Sequence, residues 1–296
     1  MKSRNLIKAV LLVTLFTLVM GQGMMVFAAP KTTTWKINWS VSPEHTWSVA
    51  LQEWASRVTE KTNGSMKFDL YYFDALGAQK ESLENMRLGV LDGTYSLEPF
   101  SYWVPEINIY SIGYLFKDEE HLIRCQEGEM WEVLEQKMTE AGFRPMMYFV
   151  RAPRHITSKN PINSLSDLKG MKIRVPQAPA NIQLFQALGA KPMALPFPDI
   201  IPGIQSGMLD GQENPLDLVW DFKMWEVQNY IAMTQHSYQV VIFVVSEKSF
   251  QKLPAETQKI MYESAKIAQA NEYKRFKEQE KVVQEQLAAK GFKFTY

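Results

Sequence analysis

The sequence predicts an α/β fold in two lobes with a cleft between them. Three observations carry this expectation. Strand-like and helix-like patterns alternate from residue 34 to about residue 98, which argues for a largely parallel sheet with helices on its faces. After "FRPMMYFV" (143–150) the alternation starts again, with no low-complexity linker between the two units. From Pro254 to Lys290 one helical stretch runs without an internal glycine or proline; at ~1.5 Å per residue it spans roughly 50 Å, more than one small lobe needs.

In the first unit, "TWKINWS" (34–40) alternates as a strand. Trp47, Leu51, Trp54, Ala55 and Val58 then recur at helical spacing until Asn63-Gly64 stops the helix. "MKFDLYYF" (66–73) alternates again, "QKESLENMRLGVLDG" is amphipathic, and "TYSLE" is a short strand. A helix is expected near Glu119–Ala141, ahead of the buried strand 143–150. In the second unit "SLSDLKG" reads as a short capped helix and "MKIRVP" as a strand. "APANIQLFQALGA" follows as a helix, "PMALP" as a strand, "PDIIPGIQSG" as a short helix and "MLDGQENP" as a strand end. "YQVVIFVVS" (238–246) is rich in β-branched residues and reads as a buried strand, while Gly291 ends the long helix and "FKFTY" closes the chain as a strand.

The N-terminus has Lys2, Arg4 and Lys8 around the start of an apolar run from Ala9 to Met20, with Val26-Phe27-Ala28 before a cleavage point. This pattern reads as a cleaved secretory signal peptide over residues 1–28, and so as a periplasmic protein; the apolar run is too short for a membrane span. Removing it takes three basic residues and no acidic ones, leaving 29 Lys+Arg against 32 Asp+Glu. That balance argues against nucleic acid as a partner. The single cysteine, Cys125, allows no internal disulfide, so the fold must hold by its core. The four histidines lack metal-ligand spacing, and no serine elbow or phosphate-type glycine loop is present, so no metal or cofactor is expected.

The ordered set "GSMKFDLYYFDALGAQKESLENMRLGVLDG", "INSLSDLKGMKIRVP", "LGAKPMALPF", "GMLDGQENP" and "QVVIFVVSEKSFQKLPAETQKIMYESA" resembles the tripartite ATP-independent periplasmic (TRAP) transporter substrate-binding proteins over essentially the whole exported chain. The resemblance implies a periplasmic binding protein-like clamp of two lobes with mixed sheets and a long helix behind both. The expected division is lobe I from 29–151 with about 240–279, and lobe II from 152–239 with about 280–296. It implies a non-enzymatic transport function: binding a small organic acid and delivering it to small and large membrane permease subunits, with the binding protein itself a monomer. The site residues it implies are Arg174 in "KIRVP" for the ligand carboxylate, Arg154, Asn214 in "DGQENP", Phe197 against the carbon skeleton and Glu98 toward hydroxyls. His45, after the first strand, is a candidate for the opposite wall together with Trp47.

The chemistry agrees with that set. A carboxylate buried without a partner costs several kcal/mol. A guanidinium offers two parallel donors and a permanent charge, where lysine offers a point charge on a flexible stem. An asparagine donates and accepts, and so suits a carboxylate oxygen or a hydroxyl. The chain departs from the family at Ala152-Pro153 and in carrying an additional Arg151, which leaves open whether Arg151 or Arg154 faces the cleft. Two other readings use the same residues. A sensor presenting its ligand to a membrane kinase would need the same clamp, and an exported acid-sugar hydrolase would need Glu98 paired with Asp210 or Glu213.

Overall fold

The computed structural model describes residues 32–296, so the expected signal peptide and its cleavage point lie outside the described residues. The described chain builds two sheets. The first joins β1 (Thr33–Asn38), β2 (Met66–Tyr71), β3 (Gly93–Ser96), β4 (Phe143–Val150) and β10 (Val240–Ser246), in the order β2-β1-β3-β10-β4. The second joins β5 (His155–Ser158), β6 (Lys172–Val175), β7 (Lys191–Ala194), β8 (Gly211–Asn214), β9 (Tyr230–Ala232) and β11 (Lys293–Thr295), in the order β11-β9-β5-β8-β6-β7.

Both sheets are mixed rather than largely parallel. β1 pairs in parallel with β2 and β3, but β10 lies antiparallel between β3 and β4. In the second sheet β6 is parallel to β7 and β8, and β5 runs antiparallel to β8 and β9. β10 shows why a strand without polar alternation belongs in the middle. All seven of its residues are buried. Val241, Phe243 and Val245 pack into a core with Trp39, Trp47 and Trp54, while Val240, Ile242 and Val244 pack into another with Phe100, Tyr110 and Phe143. A period of two feeds both faces, so a polar residue at either parity would enter a core.

The helices are α1 (Thr46–Lys61), α2 (Gln79–Leu88), α3 (Glu119–Gln126), α4 (Glu129–Glu140), α5 (Pro179–Ala187), α6 (Ile200–Gln205), α7 (Leu216–Asp221), α8 (Glu247–Phe250) and α9 (Ala255–Ala289). The single helix expected near Glu119–Ala141 is two, because Glu127 ends α3 and Gly128 starts α4 in extended backbone. The long helix has 35 residues. Its Met261, Ala265 and Ala268 pack in one core of the first sheet and Phe276 in the other, while Val283 and Leu287 enter the core beside α6, α7 and β9. α9 therefore ties both sheets to one rigid rod.

Gly211 admits no side chain. A Cβ there would lie 2.6 Å from the carbonyl oxygen of Thr157 on the neighbouring strand. The "DG" pair, which reads as a turn, instead opens β8: Asp210 Oδ2 accepts the Lys172 N–H at 2.8 Å, and Gly211 sits between β5 and β6.

Candidate functional site

One cavity lies between residues of the two sheets. Trp47, Gln79, Tyr95, Glu98 and Arg151 come from the first-sheet side, and Arg154, Arg174, Phe197 and Asn214 from the second. Each position follows from a strand end. β6 and β8 are parallel neighbours with Arg174 opposite Gln212, so the ends of these two strands deliver Arg174 and, two residues on, Asn214 to the same place. Sites in open α/β sheets form where strand ends leave such a crevice.

Five of the six expected residues line the cavity: Arg174, Arg154, Asn214, Glu98 and Phe197. They do different things. Arg154 is 1% exposed and fully engaged. Its Nε and Nη2 donate to the two carboxylate oxygens of Glu213, Nη2 also reaches the Glu213 carbonyl at 2.7 Å and Asn214 Oδ1 at 3.1 Å, and Nη1 reaches Gln239 Oε1 at 3.4 Å. Burial alone would lower its pKa, but the charge and hydrogen bonds of Glu213 outweigh burial and raise it. Glu213 responds in the opposite sense: burial would raise its carboxyl, yet Arg154 and His236 hold it well below the usual carboxylate range.

Arg174 is also buried, at 4% exposed, and has no such partner among the described residues. Nε donates to the Leu195 carbonyl at 2.9 Å and the guanidinium lies 5.5 Å above the Phe197 ring. Among the described residues its terminal nitrogens make no hydrogen bond and no carboxylate comes within ion-pair distance. Burial lowers its pKa to about 10, and the positive charges of Arg154 and Arg151 push the same way against Glu213 and Glu98. This is a cation held where its charge is disfavoured and its forked donors are unused.

Phe197 is set edge-on against Phe222, with centroids 4.4 Å apart, which fixes the ring that covers Arg174. Asn214 Oδ1 accepts from Arg154 and Nδ2 donates to Gln212 Oε1, and Gln212 in turn donates to Thr157 Oγ1 at 2.7 Å. Asn214 is thereby aimed by a buried polar chain rather than by an Asn-Pro turn. Glu98 begins a 3₁₀ turn, one residue beyond the end of β3, instead of ending the strand. Its Oε1 lies 3.5 Å from Arg151 Nη1 and 3.6 Å from Arg154 Nη1.

His45 is not among the residues lining this cavity. It is the N-cap of α1, accepting the Trp47 N–H on Nδ1 at 3.3 Å, and its Nε2 faces Asp217 at 3.5 Å. The wall it was expected to form is made by Trp47. Both arginines left open by the sequence reach the cavity. Arg151 lies 5.7 Å over the Trp47 ring and donates from Nη1 to Gln239 at 3.0 Å. Gln79 and Tyr95 are wall residues that pattern reading missed. Gln79 sits at the start of α2 and accepts from Ser96 Oγ at 3.2 Å, a contact between segments no spacing rule connects. Among the described residues no group of three or more His, Cys, Asp or Glu side chains is placed to hold a metal ion.

Residues 37–296 match the family described as bacterial extracellular solute-binding protein, family 7. The chain belongs to this family. A solute-binding protein of Roseobacter denitrificans is 32% identical over 243 residues, covering 82% of this chain and 74% of that one. A crystal structure of a TRAP periplasmic solute-binding protein from the same organism, with bound L-galactonate, superposes with a TM-score of 0.88 at 30% identity, covering 90% of this chain and 89% of that one. A second, from Sulfitobacter with bound β-D-galacturonate, gives 0.86 at 26% identity, covering 89% and 88%. Family members of this TRAP type are periplasmic transport proteins that bind small acids and work with membrane permease components. The two-sheet architecture with its long helix is the fold of these solute-binding proteins.

Proposed function

We propose that this chain captures a hydroxylated organic acid of the sugar-acid type outside the cytoplasmic membrane and delivers it to the small and large subunits of an ion-gradient-driven TRAP permease. The observation that carries this reading is Arg174, a buried guanidinium whose terminal nitrogens have no protein acceptor among the described residues. A ligand carboxylate supplies two acceptors and the missing negative charge together. Asn214, Gln79 and Glu98 offer polar contacts along the carbon chain, and Phe197 and Trp47 offer apolar faces. The sugar acids bound by the two related structures support the ligand class.

In this reading the moving bodies of the clamp are lobe I, built on the first sheet, and lobe II, built on the second. A ligand touching both favours the closed arrangement, and the population shifts toward it. The hydrolase reading fares poorly. Glu98 is the single carboxylate among the cavity-lining residues; Glu213 is wholly buried against Arg154, and Asp210 is bonded to the Lys172 backbone. Hydrolysis of a glycosidic bond needs two carboxyl groups flanking that bond.

The test is thermal stability of the exported protein against a panel of aldonic, uronic, keto and dicarboxylic acids and neutral sugars. A ligand at one hundred times its Kd stabilises by about 2.7 kcal/mol, a shift of a few degrees. The expected result is a shift confined to one class of hydroxylated acid, without turnover, and absent in Arg174→Ala. A protein that mass spectrometry shows to be empty and that no acid stabilises would overturn the proposal.

A further inference from the structure

Resting on that reading, the charges around the cavity limit what the acid can be. Three guanidinium groups and one carboxylate, Glu98, line the wall, with Glu213 directly behind it. Glu213 is matched to Arg154. Glu98 lies within ion-pair distance of Arg151 and Arg154 and not of Arg174. The next carboxylate, Asp217, is not a wall residue: it faces His45 Nε2 at 3.5 Å and accepts the Leu218 N–H at 2.9 Å. Of the three cations, Arg174 alone has no carboxylate within ion-pair distance among the described residues.

Glu98 adds a second restriction. Both of its close cation contacts are made through Oε1; Oε2 makes no hydrogen bond among the described residues. The side chain is 6% exposed and lines the cavity, so Oε2 is an acceptor left without a protein donor among the described residues. An ionised carboxylate only accepts. A ligand hydroxyl satisfies it by donating, whereas a ligand carboxylate would set two acceptors and two like charges against each other.

We propose that Glu98 is a specificity-determining residue that makes the site select singly charged hydroxy acids: Arg174 takes the one carboxylate, and Glu98 admits a hydroxyl-bearing end while rejecting a second carboxylate. The relevant discrimination is therefore between acids with the same carbon chain and one or two carboxylates. It differs from recognition of the acid group itself, which is assigned to Arg174.

Matched pairs test this directly: galactonate against galactarate and gluconate against glucarate, titrated calorimetrically into wild type, Glu98→Gln and Glu98→Asp. In wild type the monoacid of the pair that binds is expected to bind at least 100-fold more tightly than its diacid. Glu98→Gln, which turns an acceptor into a neutral donor-acceptor, should gain at least tenfold for the diacid and lose several-fold for the monoacid. Glu98→Asp keeps the charge and should keep the preference for the monoacid. Equal wild-type affinities within a pair, or an unchanged ratio in Glu98→Gln, overturn the proposal. If Glu98→Gln does not fold, the wild-type ratio and the Glu98→Asp ratio still decide. Binding that ignores charge number yet is lost in Arg174→Ala would sink the Glu98 role alone; no sugar acid bound by ligand-free wild type would remove the proposed function along with it.

Discussion

Arg154 and Arg174 line one cavity, come from one half of the molecule and are both buried, yet they are opposite kinds of arginine. Arg154 lies in a closed network in which Glu213, Asn214 and Gln239 take up its donors. Arg174 has a backbone carbonyl, an aromatic face and two nitrogens with no acceptor among the described residues. The difference teaches that burial of a charge does not by itself say whether the charge serves the fold or the ligand. The partner list does. A matched pair answers its own charge within the fold, and an unmatched cation on a cavity wall leaves its donors for a ligand, the role proposed for Arg174.

Substitutions separate the two roles. The largest expected effect is from Arg154→Ala, which leaves Glu213 buried without its counterion and should cost about 3–5 kcal/mol of stability, read by urea denaturation. A cost under about 1 kcal/mol would break the comparison, since Arg154 would then not be structural. Arg174→Ala should do the reverse: ligand affinity falls at least 100-fold, while the melting temperature of the empty protein stays level or rises because a disfavoured buried charge is gone. Arg174→Lys keeps the charge but not the fork, and near-normal affinity in that variant would argue against a two-pronged contact.

A carboxyl sharpens the same point. Glu272, on α9, is 1% exposed with Thr46 Oγ1 as its hydrogen-bond donor at 2.9 Å. Burial, only partly offset by that hydrogen bond, raises its pKa from 4.5 to about 7. The folded state therefore holds this proton where the unfolded chain has released it, so stability falls as pH rises from about 4.5 to about 7 and levels off above. The shift corresponds to about 3 kcal/mol. Glu272→Gln should remove that slope, with a higher melting temperature than wild type at pH 8 and little difference at pH 4. A wild-type-like slope in the variant would mean that another group titrates.

The smallest expected effect lies where the two halves touch directly. Ser42, just after β1, donates to Asp221 Oδ1 at the end of α7, and its N–H reaches Asp221 Oδ2 at 3.1 Å. Ser42→Ala removes one of these two bonds and should cost about 1 kcal/mol, seen as a modest loss of ligand affinity with the ligand contacts untouched. An effect as large as that of Arg174→Ala would move the recognition chemistry away from the arginine.

How far the sequence reaches can be judged from particular residues. The place of Arg174 and Asn214 on the cavity wall was legible because each sits in a short segment whose strand period places it: "KIRVP" and "DGQENP" are parallel neighbours, and both run toward the same crevice. The long helix was legible from its unbroken length, and β10 from its unbroken apolar run. His45 was misplaced because an N-cap position consumed the side chain, a local role that position in the chain does not distinguish from a wall residue. Gln79 was missed because its partners, Ser40 and Ser96, come from two other segments.

By itself, then, the sequence determined most of the succession of elements, the two-lobed class and the motif that carries Arg174, because periodicity and short motifs are properties of neighbouring residues. The tertiary structure alone decided that β10 enters the first sheet antiparallel between β3 and β4, that Arg154 belongs to Glu213, and that Glu98 stands against Arg151 and Arg154. Those outcomes depend on which distant segments share a core and on which charges meet once water is excluded. Both are settled only when the chain has closed on itself.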